Sequence, residues 1–249
     1  MPEGPEVENV VRTLQPHLAG RRILSTLGWQ GPVIGKTIRG VRRYGKYIVL
    51  DFDDGMLQIH LRMTGKLLFN GRRTPYTRAE FALDEGTLLF DDIRRFGRIR
   101  WSTELPAQGP DPLELSATAF AAHVQSRRGR IKPLLLDQKF LRGLGNIYVD
   151  ESLFAARIHP ATPAAGISRP RLHELHTAIV AILEEAIAAG GSSISDYVDG
   201  DGQRGSFQNS HQVYGKAGEA CPRCSKAIRR ILLAQRGTHF CPRCQRVVR

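Results

Sequence analysis

The stretch CPRCSKAIRRILLAQRGTHFCPRC, residues 221–244, sets four cysteines in two C-x2-C pairs with 16 residues between them. Each pair is a knuckle that places two thiolates on one side of a cation, and two knuckles complete a tetrahedron. Cys221, Cys224, Cys241 and Cys244 are therefore candidate ligands of one structural Zn2+, because sulfur at every corner leaves no position for a catalytic water. A redox reading would need a single pair on an α/β scaffold. No other cysteine is present, which argues against a disulfide-stapled secreted domain. Residues 216–249 hold nine Lys/Arg against one Glu. Arg229, Arg230 and Arg236 fall near the turn of this metal-clipped hairpin, where they suit phosphate oxygens.

The same bias runs through all 249 residues. Thirty-six Lys+Arg against 24 Asp+Glu give a net charge of +12, and 29 of the basic residues are Arg. A chain this basic meets a polyanion, and the planar guanidinium fork matches phosphate better than an ammonium does. The first residues, MPEGPEVENVV, lack the basic start and apolar run of a secretory signal. The most apolar helix candidate is interrupted by Glu184 and Glu185, so no membrane span is expected. These features predict a cytoplasmic, nucleoid-associated protein. With no heptad and no long apolar stripe, a monomer is expected.

Patterning divides the chain. Pro5 at a first helical position, Glu6 and Glu8 in the first turn, and Val7, Val10, Val11, Leu14 and Leu18 at helical spacing predict a helix ended by Gly20. The runs Tyr47–Phe52 and Met56–Leu61 flank Asp53-Asp54-Gly55. Phe81–Leu83 and Thr87–Phe90 flank Asp84-Glu85-Gly86. Both read as hairpins of an antiparallel sandwich or barrel. After the Pro-rich stretch 105–118 the pattern turns helical: Leu134–Leu141, Ile147–Ala156 and Arg171–Ala189, the last capped by Gly190-Gly191. The polar run DGDGQRGSFQNS, residues 199–210, reads as a mobile loop. Domain boundaries are expected at 1–116, 117–215 and 216–249.

Three Glu within the first eight residues are unusual in so basic a chain. Carboxylates at a helix start offset the macrodipole, which is one reading. Pro2 supplies another. Removal of Met1 would leave a secondary amine, and an α-amine is far less basic than a lysine. Such an amine can attack a sugar C1′ and form an iminium, with Glu3 beside it to shuttle protons.

Taken together, PEGPEVE at the start, RRYGKYIVL around Lys46, HLRMTG from His60, RRFG from Arg94, GLGNIYVDE around Asn146, and the ribbon with AQRGTHF resemble the formamidopyrimidine-DNA glycosylase and endonuclease VIII family. The resemblance runs nearly the whole length. It implies an α+β protein: an N-terminal antiparallel β-sandwich with a leading helix, then a helix–two-turn–helix module and a four-Cys zinc ribbon, with DNA in the cleft between. The implied partner is double-stranded DNA containing oxidised bases or abasic sites. The implied reaction flips the damaged base, displaces it with Pro2 and proceeds by β- and δ-elimination.

By position, Pro2 matches the nucleophile and Glu3 the proton donor. Lys46 matches the strand lysine assigned to β-elimination, and Arg236 the ribbon arginine assigned to δ-elimination. His60 and Asn146 match phosphate contacts, Arg127 a basic DNA contact, and Tyr76 stands where many members have a DNA-contacting His. Met63, Arg94 and Phe96 match the trio that fills the space of the extruded base. From pattern alone, however, Met63 and Phe96 read as core residues and His60 as a satisfied core histidine. Gly4, Arg62, Ile93 and Gln203-Arg204 depart from common family residues. The loop's presence favours oxidised purines, such as 8-oxoguanine and formamidopyrimidines. An endonuclease VIII-like preference for oxidised pyrimidines, or a non-catalytic zinc-ribbon protein that binds damaged DNA, are the alternatives.

Overall fold

A computed structural model describes residues 1–246. The chain forms two compact units: Met1–Pro106 with Ala186–Gln208, and Ala107–Glu185 with the chain from Asn209 onward. The first unit is therefore discontinuous in sequence.

In the first unit, helix α1 (Gly4–Leu18) precedes eight strands: β1 (Ile23–Leu27), β2 (Gly40–Tyr44), β3 (Tyr47–Phe52), β4 (Gly55–His60), β5 (Gly65–Phe69), β6 (Thr77–Leu83), β7 (Thr87–Asp92) and β8 (Arg98–Ser102). They form two four-stranded antiparallel sheets, ordered β2-β3-β4-β8 and β1-β6-β7-β5. The expected hairpins are both present, β3–β4 turning at Asp53-Asp54 and β6–β7 at 84–86. Alternation puts Ile48, Leu50, Leu57, Ile59, Phe81 and Phe90 inside. The apolar stripe of α1 joins the same core through Val7, Val10, Leu14 and Leu18, none of which is exposed to solvent.

Segment 186–208 belongs with this sheet pair because its backbone is hydrogen-bonded there. Gly200 N–H donates to Thr13 Oγ1 at 2.9 Å, and Gly200 O accepts from Phe69 N–H at 3.0 Å. The run that reads as a mobile loop is thus fastened near its start, at Gly200. Gly and Asp mark a turn, and only long-range partners reveal that the turn is anchored.

The second unit contains α2 (Ala117–Gln125), α3 (Ile131–Leu136), α4 (Asn146–Ala155), most of α5 (Arg169–Ala188) and the ribbon strands β9 (Arg229–Leu233) and β10 (Arg236–Phe240). The helix expected over 134–141 is instead the six residues of α3. Asp137 turns extended, its carboxylate accepts from Lys139 N–H, and the Gln138 amide donates to Leu136 O and Leu144 O. Side chains that bond nearby backbone in this way compete with helix continuation, whatever the Leu content upstream.

A buried ion pair ties the helices to the ribbon. Lys132 and Asp150 are both fully inaccessible, with Nζ to Oδ1 at 2.6 Å. Lys132 Nζ also donates to Gly237 O at 3.2 Å, and Asp150 Oδ2 accepts the His239 backbone N–H at 2.9 Å. Next along α4, Glu151 accepts the N–H groups of Gln212, Val213 and Tyr214. Burial pushes its carboxyl pKa up, and those three donors partly offset the shift. Removing one partner of a buried pair strands the other charge. Lys132→Met is expected to lower stability by about 3–5 kcal/mol in denaturant unfolding, and a change below about 1 kcal/mol would contradict this account of the pair.

Candidate functional site

In the first unit the N-terminal segment is buried: Pro2 is buried, Glu3 is 4% exposed and Glu6 1%. Both Glu6 oxygens are engaged. Oε2 accepts the Glu3 N–H at 2.7 Å and Oε1 the Ser192 N–H at 2.8 Å, while Glu6 O accepts from the Tyr197 hydroxyl at 3.1 Å. Gly191 must be glycine here. Its φ is +82°, and a Cβ would lie 3.0 Å from the Glu6 side chain. Ser193 extends the clamp, its Oγ accepting from Gly205 N–H and its carbonyl from Arg204 Nη2. The sequence reading treated Glu6 as a dipole partner only. Its role in joining the first residues to segment 186–208 depends on a contact 186 residues away.

A second carboxylate organises two loops. Asp92, 1% exposed, accepts the Thr64 hydroxyl at 2.6 Å and the Gly97 N–H at 2.7 Å, and Thr64 Oγ1 in turn accepts the Arg94 N–H at 3.2 Å. Arg62 and Arg95 take positive φ at the corners. The loops so held present Met63 (41% exposed), Arg94 and Phe96 (50% exposed), with the Arg94 guanidinium 4.7 Å from the Phe96 ring centre. Pattern alone assigned Met63 and Phe96 to the core; both are surface residues, so the core reading fails. Asp92 and Thr64 were missed, since nothing in DDIRRFG marks which Asp is buried. Tyr76, also exposed, lies beside this loop pair, its carbonyl accepting from Asp92 N–H.

His60 ends β4 and is buried against Tyr47, ring centres 4.7 Å apart and nearly perpendicular. Its Nδ1 accepts the Arg62 N–H at 3.1 Å. Burial, and then the charges of Arg62, Lys46 and Arg98, hold its pKa down to about 3. The ring is therefore neutral at pH 7, and its single proton sits on Nε2, a donor. Lys46 is not a strand residue. It occupies the β2–β3 turn after Gly45, because Tyr44 and Tyr47 already pair and leave two residues to reverse the chain.

The remaining candidates are in the second unit. Arg127 is exposed beyond α2. Asn146 opens α4, donating from Nδ2 to Gly237 O at 2.9 Å. Arg236, exposed, starts β10 after the turn residues Ala234 and Gln235, both at positive φ. Gly237, its neighbour, is thus bonded through one carbonyl by both Lys132 and Asn146.

The four cysteine sulfurs lie within 4.8 Å of one another, with 3.9 Å between Cys221 and Cys244 and 3.5 Å between Cys224 and Cys241. A zinc tetrahedron with Zn–S near 2.3 Å has sulfur–sulfur edges of about 3.8 Å, so the residues fit the ion. Gln245, buried, locks the second knuckle by accepting from Cys241 N–H and donating to Ile158 O.

The chain thus combines a helix-led antiparallel sandwich, a helical unit and a four-cysteine ribbon. Residues 1–99 match the formamidopyrimidine-DNA glycosylase N-terminal domain, 108–198 its H2TH domain, and 218–247 the zinc finger found in FPG and IleRS. The chain is 50% identical to the formamidopyrimidine-DNA glycosylase of Solibacter usitatus, covering 99% of this chain and all of that one, and 44% identical to that of Chloroflexus aurantiacus, covering 98% of each. Among solved structures it resembles a Lactococcus lactis FPG variant in complex with Fapy-dG-containing DNA (TM-score 0.90, 38% identity, 98% of this chain and 100% of that one). It also resembles MutM (FPG) from Thermus thermophilus (TM-score 0.90, 37% identity, 100% of both). The chain belongs to the formamidopyrimidine-DNA glycosylase family.

Two outcomes follow from this geometry. His60 binds no proton in the folded state until the pH approaches 3, whereas the unfolded chain takes one near pH 6.5. Its contribution to stability is complete above pH 6.5 and is lost as the pH falls toward 3. The stability difference between wild type and His60→Gln should therefore shrink over that window in pH-dependent melts; a constant difference would contradict the shift. Replacing Cys241 with Ser should release zinc, measured with a chelating dye, and abolish duplex binding while the β-sheet circular dichroism persists. Retained affinity without metal would refute the ribbon's role.

Proposed function

We propose that the protein is a bifunctional DNA glycosylase and abasic-site lyase that excises oxidised purines in base-excision repair. The observation that supports this best is the burial of Pro2 and Glu3 with Glu6 fixing the Glu3 amide, which holds a would-be nucleophile and an acid at one end of α1. With Met1 removed, the Pro2 nitrogen attacks C1′ of the flipped nucleotide and the damaged base leaves. Glu3 supplies the proton that opens the sugar. The iminium acidifies C2′, so the 3′ phosphate leaves by β-elimination with Lys46 assisting; the 5′ phosphate then leaves by δ-elimination with Arg236 assisting, and a one-nucleotide gap remains.

Met63, Arg94 and Phe96 enter the stack vacated by the flipped base, which offsets part of the lost stacking. His60 Nε2–H, the second N–H of Asn146 Nδ2, Arg127 and Tyr76 bind the DNA backbone. One zinc ion holds the ribbon in shape and takes no part in the chemistry. The relatives' names and the Fapy-dG complex of the Lactococcus lactis neighbour support purine lesions as substrates. We assign a monomer acting on double-stranded DNA in the cytoplasm.

The test separates two steps. Glu3→Gln should slow excision of 8-oxoguanine about a hundredfold or more while still nicking duplexes that already carry an abasic site, because imine formation there needs no base departure. Equal loss on both substrates would contradict Glu3 as the acid. Faster wild-type turnover of thymine glycol than of 8-oxoguanine would instead favour the oxidised-pyrimidine reading.

A further inference from the structure

Strand β1 edges one sheet of the sandwich and β8 the other. Just past β1, Trp29 Nε1 donates to Ile99 O of β8 at 3.3 Å. A cavity of about 420 Å³ opens there, lined by Trp29, Phe90 and three arginines, Arg78, Arg98 and Arg100. Its size lies within the roughly 300–1,000 Å³ of small-ligand clefts.

Three of the lining residues are cations. Arg39, Arg42, Arg43 and Arg73 of the same unit each pair with a carboxylate. Among the described residues Arg78, Arg98 and Arg100 pair with none. Arg78 sits where the β6–β7 register shifts between Thr77 and Ala79, an irregularity of the kind that re-aims a side chain. Its Nη1 is buried and makes no hydrogen bond. A buried donor left unmade is costly, so an acceptor belongs there. Arg98 and Arg100, two apart on β8, share a face and are exposed. Gly28 closes in on the Arg78 backbone: φ is +75°, and a Cβ would lie 2.4 Å from Arg78 O.

Guanidinium groups without counterions call for an anion, and adjoining aromatic surface calls for a flat apolar group on the same molecule. We propose that this cavity binds one unpaired nucleotide, its phosphate on Arg78, Arg98 and Arg100 and its base against Trp29. The same chemistry is offered by a free nucleoside monophosphate and by a nucleotide extruded from a DNA strand. Charged side chains on an edge strand also deter sheet-to-sheet pairing, and the experiment distinguishes the two uses. The subsite does not rest on the excision reaction, because binding of a free nucleotide requires no catalysis.

The full chain carrying Trp101→Phe, so that Trp29 alone reports, is titrated with deoxyguanosine monophosphate. In a parallel arm it is titrated with a duplex bearing one unpaired nucleotide and with its fully paired counterpart. Saturable quenching of Trp29 fluorescence is expected, with deoxyguanosine, which lacks the phosphate, giving none. Arg100→Ala, exposed and therefore safe for folding, should weaken binding at least about tenfold, with an unchanged melting temperature. Quenching by the monophosphate identifies a free nucleotide as ligand; quenching only by the unpaired-nucleotide duplex identifies the strand. No saturable quenching in either arm, or equal affinity in Arg100→Ala, overturns the subsite and leaves Arg98 and Arg100 as edge protection.

Discussion

One buried carboxylate sets the position of everything at the front of the first unit. Glu6 is almost wholly excluded from solvent, and stranding its charge there would cost several kcal/mol. Charge-assisted bonds from the Glu3 and Ser192 amides, together with its place in the first turn of α1, offset that cost. The consequence is geometric: residues Pro2 and Glu3 cannot reorient without breaking the bond to Glu6, and segment 186–208 cannot lift away from α1 without breaking the other. Gly191 at positive φ and Tyr197 on the Glu6 carbonyl make the join tight.

Asp92 does the same for the loops that carry Met63, Arg94 and Phe96. Three apolar or cationic groups held in solvent have no stabilising burial of their own, so their backbone must be fixed from beneath, and the Asp92–Thr64–Gly97 network does it. The charge distribution fits a division of labour. Arg12 and Arg43 bond Glu8, Arg42 bonds Asp51 and Arg39 bonds Asp53, so these arginines are neutralised within the fold. Arg62, Arg94 and Arg95 on the loops have no carboxylate partner among the described residues. These unpaired cations flank Met63 and Phe96, and residues 216–249, with nine Lys/Arg against one Glu, carry most of the chain's net charge of +12.

What the sequence disclosed, it disclosed through short-range regularity. The cysteine spacing specified a metal cluster because two knuckles have few other uses, and the strands between Tyr47 and Phe90 declared themselves by alternation around acidic turns. Helix 134–141 was misread because Leu-rich periodicity says nothing about Asp137 and Gln138 bonding their own neighbours. The core reading of Met63 and Phe96 failed because an apolar residue is the same letter in a core and on a loop. Glu6 and Asp92 were invisible as organisers, since each acts through partners brought near by folding: Ser192 in one case, Thr64 and Gly97 in the other.

The central claim is that the chain's own imino nitrogen, bared by loss of Met1, becomes covalently joined to deoxyribose. Peptide mass spectrometry of the enzyme reduced during turnover on damaged duplex locates that bond directly. The account requires the sugar remnant on a peptide that begins at Pro2. A remnant carried by Lys46 or any other lysine, or an active enzyme that retains Met1, would contradict it.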